Sequence, residues 1–226
     1  MRILKAKAVA ALQTQVPSLT LSTENISVLH QGRFANAIVF RYKDENLDVV
    51  IKDYSHCPAV IRQTIGRLFI KREHRNLQRL RGLSSVVGNS RMLSSTMLAY
   101  PYVEGRSLAE LRKQKEKLPV EFFTRMEQLV HEMHERGVVH LDLRNMGNIL
   151  CDAEGEPHFI DFQSAFALRK PSGRIRCLLK ASDLSAVYKS WAKLCTEPLT
   201  GEKQAFLENF NRIRRFWVLR GYPFAN

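Results

Sequence analysis

The most informative segment of the chain reads His140-Leu-Asp142-Leu-Arg-Asn145-Met-Gly-Asn148-Ile-Leu150, and Phe159-Ile-Asp161-Phe162 follows it. Two short strands, at residues 149–152 and 158–160, are predicted on either side of a turn. Taken alone, Asp142 and Asp161 could each be a carboxylate that caps a turn or a helix. Their meaning therefore depends on the rest of the chain.

The first half of the chain predicts a small antiparallel sheet with one helix. Short β-branched and aromatic runs separated by polar turns are typical of antiparallel strands. They lie at residues 26–30, 37–42, 47–53, 90–93 and 96–102. A helix should begin after Pro58 and end at Gly82. Residues 1–26 show little periodicity, and we predict no element there.

The second half predicts mainly helices. Apolar residues between Pro119 and Gly137 recur at helical spacing. Further helices are expected at residues 178–194 and 201–219. No internal repeat or low-complexity segment interrupts this pattern.

The order of the motifs resembles that of the protein-kinase-like fold over roughly residues 26–195. Val49-Val-Ile-Lys52 lies on the third predicted strand, like the Val-Ala-Ile-Lys of that family, and Glu73 lies on the helix after it. The resemblance implies a two-lobed α+β fold, with a small antiparallel β-sheet N-lobe carrying one helix and a reduced, mainly helical C-lobe. We place the N-lobe at residues 1–100, with residues 1–26 an uncertain leader. A hinge follows at residues 101–107, and the C-lobe, with the catalytic and metal-binding loops, at residues 108–226.

The resemblance implies phosphoryl transfer from ATP with Mg²⁺. In this reaction the protein holds cations beside the γ-phosphoryl oxygens and aims a hydroxyl in line with the bond that breaks. By the resemblance, Lys52 would contact the α- and β-phosphates, and Glu73 would orient it. Asp161 would bind Mg²⁺, and Asp142 would orient the acceptor hydroxyl and receive its proton.

Further roles follow from the same resemblance. Asn148 would hold a second metal ion because it directly precedes an apolar strand, and Asn145 is the alternative. His140 would support the catalytic loop as a packed imidazole, and Asp183 would brace the backbone of that loop. Contacts to the nucleotide would come from Gly32 and from backbone groups of the hinge. The hinge residues concerned are Pro101, Tyr102 and Val103.

The chain also departs from the common kinase pattern. Its phosphate loop has one glycine, Gly32, so fewer backbone N–H groups can approach the phosphates. Leu141 stands where regulated protein kinases carry arginine, so phosphorylation of an activation loop is not expected to be the switch. The short interval from Asp161 to Asp183 contains no Ala-Pro-Glu and leaves little room for a peptide-docking segment.

These reductions resemble the small bacterial kinases of the lipopolysaccharide core and the RIO-type atypical kinases. The first group phosphorylates inner-core sugars at the cytoplasmic membrane face, and Pro101-Tyr-Val-Glu-Gly-Arg-Ser-Leu108 is similar to its hinge segments. A basic segment after the metal-binding motif would suit an anionic acceptor. Its proposed contact residues are Arg169, Lys170, Arg174 and Arg176.

The composition of the chain excludes several classes of protein. The 226 residues carry a formal charge of +13 and are 45% hydrophobic, which excludes a disordered or collagen-like chain. The spacing of the four cysteines favours neither a zinc site nor a disulfide framework. No apolar run is long enough to span a bilayer and no signal peptide is expected, so we expect a cytoplasmic protein. A nucleic-acid-binding role would rest on charge alone, and we do not expect one.

Three functional hypotheses remain. The first is an ATP- and Mg²⁺-dependent phosphotransferase that acts on a hydroxyl of a lipopolysaccharide core sugar, an anionic glycolipid, with peripheral contact to the inner face of the cytoplasmic membrane. The second is a RIO-like Ser/Thr protein kinase or ATPase with the same site residues. The third is a non-catalytic kinase-like binding module, which the poor glycine loop and the shifted asparagine allow.

Overall fold

The computed structural model describes residues 1–32, 35–168 and 173–215. The chain divides into two compact units. One comprises Met1–Glu104 and Ile160–Phe166, and the other Gly105–Phe159 and Ala167–Asn226. The division after Glu104 lies within the expected hinge. Segment Ile160–Phe166, which the sequence analysis assigned to the C-lobe, groups instead with the first unit.

A five-stranded antiparallel sheet of order β1-β2-β3-β5-β4 forms the centre of the first unit. Its strands are β1 (Ile26–His30), β2 (Ile38–Lys43), β3 (Asp48–Asp53), β4 (Arg91–Ser94) and β5 (Met97–Pro101). All five lie where the sequence predicted strands. In this register Lys52 of β3 pairs with Val39 on one side and Leu98 on the other, so Lys52 stands in the middle of the sheet.

Helix α1 (Arg2–Gln13) precedes the sheet, where the sequence analysis predicted no element. Only Ala8, Val9 and Leu12 of α1 are buried, and they pack in one cluster with sheet residues that include Phe40 and Ile51. With so few buried apolar residues, α1 shows little helical periodicity in its sequence. The helix is stabilised by its tertiary packing on the sheet.

The predicted helix after Pro58 is present in three consecutive pieces. They are α2 (Ala59–Ile61), a π-helical turn (Arg62–Gly66) and α3 (Arg67–Arg79). At Gly66 an added Cβ would come within 3.0 Å of the Tyr54 Cβ, so the absence of a side chain allows this close approach. Helix α3 buries Glu73 and Asn76 as well as Ile70 and Leu77.

The second unit is mainly helical, as expected. Its helices are α4 (Leu108–Lys113), α5 (Val120–Glu135), α6 (Gly173–Leu194) and α7 (Gly201–Arg215). Helix α4 was not predicted, and α6 begins at Gly173 rather than at residue 178. Phe123 of α5 and Trp191 of α6 lie with ring centroids 5.6 Å apart in the core.

Short strands complete the fold. They are β6 (Arg106–Ser107), β7 (Val138–Val139), β8 (Ile149–Cys151), β9 (Pro157–Phe159) and, at the division between the units, β10 (Phe166–Ala167). Strands β6, β8 and β9 form a small antiparallel sheet. No helix in the described ranges is both long and apolar enough to cross a membrane.

Candidate active site

The first unit contains a buried charge cluster, which we call the paired cluster, formed by Lys52, Glu73 and Asp161. The Lys52 Nζ lies 2.7 Å from Glu73 Oε1 and 2.6 Å from Asp161 Oδ1. The side chains of Lys52 and Glu73 are 5% and 2% exposed, whereas that of Asp161 is 42% exposed. Three residues that the sequence singled out separately therefore meet, and only the aspartate reaches solvent.

The electrostatics of the paired cluster favour a charged lysine. Burial by itself would lower the pKa of Lys52, but the carboxylates of Asp161 and Glu73 outweigh burial and hold it well above its usual range. Burial raises the pKa of Glu73, and the Lys52 ammonium opposes that shift. The nearby phenol of Tyr100 is also buried, which raises its pKa. Lys52 is thus a fixed cation.

Helix α3 holds the segment that follows Asp161. The backbone N–H of Phe162 donates to Glu73, Arg72 donates to the carbonyl of Gln163, and Asn76 Nδ2 donates to the carbonyl of Ala165 at 2.8 Å. The sequence analysis missed Arg72 and Asn76 as site residues. Their spacing with Glu73 on one helix was the available signal.

Asp161 itself has a left-handed backbone, with φ +62°. A non-glycine residue adopts this conformation at a cost that the surrounding structure must offset. Here the bond from its carboxylate to Lys52 and the contacts from α3 supply that support. The strained conformation fixes the direction of the Asp161 carboxylate.

In the second unit, Asp183 braces the loop that carries Asp142. Its carboxylate accepts the backbone N–H groups of His140 and Leu141, both at 2.8 Å, and contacts His134 Nε2 at 3.0 Å. Leu141 also has a left-handed backbone, with φ +68°. The buried Asp183 therefore accepts two N–H groups of a turn that contains a left-handed residue, and it stabilises that turn.

His140 is fully buried and supports the same loop. Its Nδ1 accepts the backbone N–H of Asp142 at 3.3 Å, and its ring lies edge-on to Phe159. The imidazole thus contacts the backbone of the loop, as expected for a packing residue.

Asn148 and Asn145 differ clearly in their surroundings. Buried Asn148 directs its Nδ2 to Asp142, 2.9 Å from Oδ2 and 3.1 Å from the backbone carbonyl. Exposed Asn145 uses its side-chain oxygen to accept the Gly147 N–H and cap a 3₁₀ turn. Asn145 Nδ2 also lies 3.4 Å from Asn148 Oδ1, so the two side chains are neighbours, and Asn148 as the metal-binding residue stays a prediction.

The residues expected to contact the nucleotide all lie in the first unit. At Gly32 an added Cβ would be 2.2 Å from the Asn36 carbonyl oxygen, so only glycine fits. The N–H of Tyr102 donates to the Asp48 carbonyl at 2.9 Å within the sheet. The Pro101 carbonyl and the Val103 N–H are then the hinge groups that we propose for adenine.

The expected acceptor-binding segment is described only in part. Arg174 and Arg176 are exposed at the start of α6. Arg169 and Lys170 lie outside the described residues.

The donors at the proposed metal positions fit Mg²⁺. Carboxylate and carboxamide oxygens are the hard ligands this ion takes, and it is commonly bound by one or two carboxylates together with water and substrate phosphates. In the first unit Asp161 supplies a partly exposed carboxylate. In the second unit Asn148 supplies a carboxamide whose nitrogen donates to Asp142 and whose oxygen lies 3.4 Å from Asn145 Nδ2. Among the described residues no group of three or more His, Cys, Asp or Glu could hold a metal.

The sheet, the paired cluster and the braced loop are features of the protein-kinase-like fold. The RIO domain family matches residues 35–200, which is most of the chain, and the protein belongs to that family. The comparison with curated proteins gives no match.

The family match confirms the kinase-like α+β fold and the RIO-like part of the resemblance. Members of this family are atypical kinases and ATPases that in general bind ATP with Mg²⁺. The match gives no support to lipopolysaccharide core sugars as the acceptor. Moreover, the Gly-Arg-Ser-Leu part of the hinge segment has a packing explanation. An added Cβ at Gly105 would lie 2.7 Å from the Cys151 carbonyl oxygen, and Ser107 forms a capping box with Glu110 at the start of α4.

Proposed function

We propose that the protein is an ATP- and Mg²⁺-dependent phosphotransferase that moves the γ-phosphoryl group of ATP to a hydroxyl. The observation that carries this proposal is the paired cluster. A lysine held between a buried glutamate and a partly exposed aspartate provides one fixed cation for phosphate oxygens and one carboxylate for a metal ion.

Each residue then has a defined task. Lys52 holds the α- and β-phosphates, and Glu73 fixes its position. Asp161 and Asn148 would hold Mg²⁺, which would supply positive charge against the developing charge on the phosphoryl oxygens. Asp142 orients the acceptor hydroxyl and receives its proton, while its own position is fixed by Asn148 Nδ2 at 2.9 Å.

For the acceptor we propose a sugar hydroxyl on an anionic glycolipid of the lipopolysaccharide core type, reached from the inner face of the cytoplasmic membrane. Two features support this choice. The chain between Asp161 and Asp183 is short for a peptide-docking segment. The region around the start of α6 is also strongly basic, with exposed Arg174 and Arg176, which favours an anionic acceptor and an anionic membrane surface.

A second candidate is a RIO-like Ser/Thr protein kinase or an ATPase, and the family match favours it. The same residues would act in both cases, since only the molecule that presents the hydroxyl or the water differs.

Labelled ATP separates these candidates. The purified protein is incubated with Mg²⁺ and γ-labelled ATP, together with core glycolipid, a general protein substrate or neither, and Asp161→Asn serves as the inactive control. Label in the glycolipid is expected. Label only on protein, or only free phosphate, would transfer the assignment to the second candidate.

The non-catalytic hypothesis is tested by the same preparation. Mg²⁺-ATP should raise the thermal unfolding temperature through binding to the folded state, and turnover should accompany it. A thermal shift without label transfer to any acceptor or to water would favour a binding module instead.

A further inference from the structure

The second unit contains an unusual concentration of positive charge beside the loop that carries Asp142. At its centre, Lys189 of α6 donates from Nζ to the backbone carbonyl of Arg144 at 2.7 Å. Three exposed cations, Arg112 of α4, Lys193 of α6 and Arg214 of α7, contribute together with Arg144 to the lowered pKa of Lys189. We call these five residues the cationic cluster.

The donors of Arg144 are only partly used. Its two terminal nitrogens donate to Ser185 Oγ at 2.8 Å and to Asn211 Oδ1 at 3.0 Å, both of them uncharged groups. Its Nε is buried and has no hydrogen-bond partner in the described part of the chain. A buried guanidinium N–H without an acceptor is costly. The guanidinium therefore keeps a donor that no acceptor in the described part of the chain uses.

Within residues 1–32, 35–168 and 173–215, no ion pair supplies an opposite charge to this cluster. Among the described residues, none of the ion pairs includes a member of the cationic cluster. Burial and the four neighbouring cations together lower the pKa of Lys189 to about 8. Burial, and to a lesser degree Arg214, lower the pKa of Arg144 to about 10. Assembling these charges without a counterion works against folding, and strongly perturbed groups of this kind concentrate at functional sites.

The cationic cluster includes a residue of the loop that carries Asp142. Arg144 is two residues from Asp142 in the same loop, and the backbone N–H of Asn145 donates to the Asp142 carbonyl at 3.2 Å. Because the cluster and Asp142 share this loop, we assign the held group to the acceptor, and the inhibition kinetics below test that assignment. Guanidinium groups bind phosphate oxygens through paired N–H donors, and several cations suit a doubly charged phosphate better than a neutral group.

We propose that Arg112, Arg144, Lys189, Lys193 and Arg214 form an anion subsite that holds a phosphate group already present on the acceptor. This rests on the proposed function for the identity of the acceptor, but the anion site itself does not require turnover. It narrows the substrate class to acceptors that carry a phosphate near the reacting hydroxyl. These residues are distinct from the basic segment that the sequence analysis proposed for the same purpose.

The first test is binding of inorganic phosphate, measured without ATP by thermal unfolding of the full chain at low ionic strength. Phosphate should stabilise the wild type in a saturable manner. Arg144→Gln and Lys189→Gln should each weaken phosphate binding at least about tenfold, because each removes a charge-assisted hydrogen bond. Glutamine at position 189 retains a donor for the Arg144 carbonyl, so the loop keeps its support.

The two variants also separate binding from folding. Without phosphate, Lys189→Gln should raise the unfolding temperature because it removes charge repulsion, yet it should abolish most of the stabilisation by phosphate. Opposite changes of this kind cannot arise from a damaged fold. A fall in stability without any loss of phosphate binding would overturn the proposal, since Lys189 would then be purely structural.

Matched controls locate the site. Arg212→Gln changes an exposed arginine on α7 outside the cluster, and it should leave phosphate affinity within about twofold, as exposed charges contribute little. Lys43→Met, at an exposed lysine of β2, should not reduce the phosphate effect either. Loss of binding in Arg174→Gln or Lys43→Met, with Arg144→Gln unaffected, would place phosphate elsewhere and refute the cluster as its site.

Inhibition kinetics test the link to the acceptor. Inorganic phosphate should compete with the acceptor and not with ATP, and Lys189→Gln should raise the KM for the acceptor at least about tenfold while the KM for ATP stays unchanged. Phosphate that binds the cluster without competing with the acceptor would refute the acceptor role. If the protein transfers no phosphoryl group at all, the binding results still stand, so failure of the proposed function and failure of this inference are distinguishable.

Discussion

The paired cluster and the cationic cluster each contain a lysine that is largely removed from water, but the charges around the two lysines have opposite signs. In the first, two carboxylates of the chain surround the ammonium of Lys52. In the second, Lys189 lies among Arg112, Arg144, Lys193 and Arg214, and the described residues supply no carboxylate. The same residue type therefore has its pKa raised in one unit and lowered in the other. The lysine of the paired cluster has its counterions within the chain, whereas the cationic cluster would be stabilised by a bound anion.

This difference affects how each cluster responds to change. Removing the lysine from a buried cluster that contains its counterions leaves uncompensated carboxylates, while removing a charge from a cluster of like charges relieves repulsion. Substitutions in the two units should thus differ in sign as well as in size, and the following variants test that contrast.

Asp161→Asn should have the largest effect, which is complete loss of turnover. The asparagine cannot supply the carboxylate that we assign to Mg²⁺, although the bond between Lys52 and Glu73 remains. ADP formation over a range of Mg²⁺ concentrations measures the effect, and circular dichroism checks the fold. Recovery of normal turnover at high Mg²⁺ would show that Asp161 is not required as a metal ligand.

Asp142→Asn should lower kcat by about 10²–10⁴-fold through the loss of proton acceptance, while leaving ATP affinity close to the wild-type value. The asparagine can still interact with Asn148 and with the loop, so the structure should persist. Steady-state kinetics together with an ATP binding titration separate the two quantities. Full activity in this variant would contradict the role assigned to Asp142.

Lys52→Met should destabilise the fold by about 3–5 kcal/mol, because it leaves Glu73 buried without its counterion. Urea unfolding measures this difference. Adding Glu73→Gln to the same chain should restore much of the lost stability, since the isolated charge is then removed. Lys43→Met, at an exposed lysine of β2, is the control and should change stability by no more than about 0.5 kcal/mol. Equal effects at Lys52 and Lys43 would mean that the paired cluster contributes nothing to folding.

Much of the fold could be predicted from the sequence because its signals are local. The five strands of the first unit show β-branched runs with turn residues between them, and α5 shows a helical apolar face. Helix α1 has too few apolar positions to give such a pattern, and its packing on the sheet stabilises it. The short α4 was detectable in principle, since Ser107 and Glu110 have the spacing of a capping box.

Only the residues of the candidate site that belong to sequence motifs could be predicted. Lys52, Glu73 and Asp161 occur in an order that a family resemblance supplies, and the structure brings their side chains into contact. The contacts of Arg72 and Asn76 with backbone carbonyls have no motif, because carbonyl groups carry no sequence signature. The cationic cluster joins side chains from three helices and a loop, and only the folded chain reveals that they are neighbours.

Asn148→Ala and Asn145→Ala form a matched pair with a moderate expected effect. Asn148→Ala should raise the Mg²⁺ concentration needed for half-maximal rate by about tenfold, as for loss of a metal contact. Asn145→Ala removes an exposed side chain that caps a 3₁₀ turn and should leave the Mg²⁺ requirement unchanged. Turnover across a Mg²⁺ titration gives both values. The reverse ranking would assign the metal to Asn145.

The smallest expected effect is the pH dependence of stability at Lys189. Its pKa of about 8 in the folded protein lies below the ordinary value of 10.5, so between these two pH values the unfolded chain holds a proton that the folded chain has released. The wild type should therefore gain stability relative to Lys189→Gln as pH rises from about 8 to about 10.5. Below pH 8 the variant should be the more stable protein by a constant margin, because Lys189 is charged in both states and repelled only in the folded one.

Urea unfolding of both proteins at intervals from pH 7 to pH 10 measures the difference in stability, in which most other titrations cancel. Lys113→Gln, at an exposed position of α4, controls for the loss of one positive charge. Phosphate bound to the cationic cluster should move the onset of the change to higher pH, since a bound anion favours the charged lysine. A difference that stays flat across this range would mean that the neighbouring cations do not act on Lys189, and the contrast between the two clusters would then rest on geometry alone.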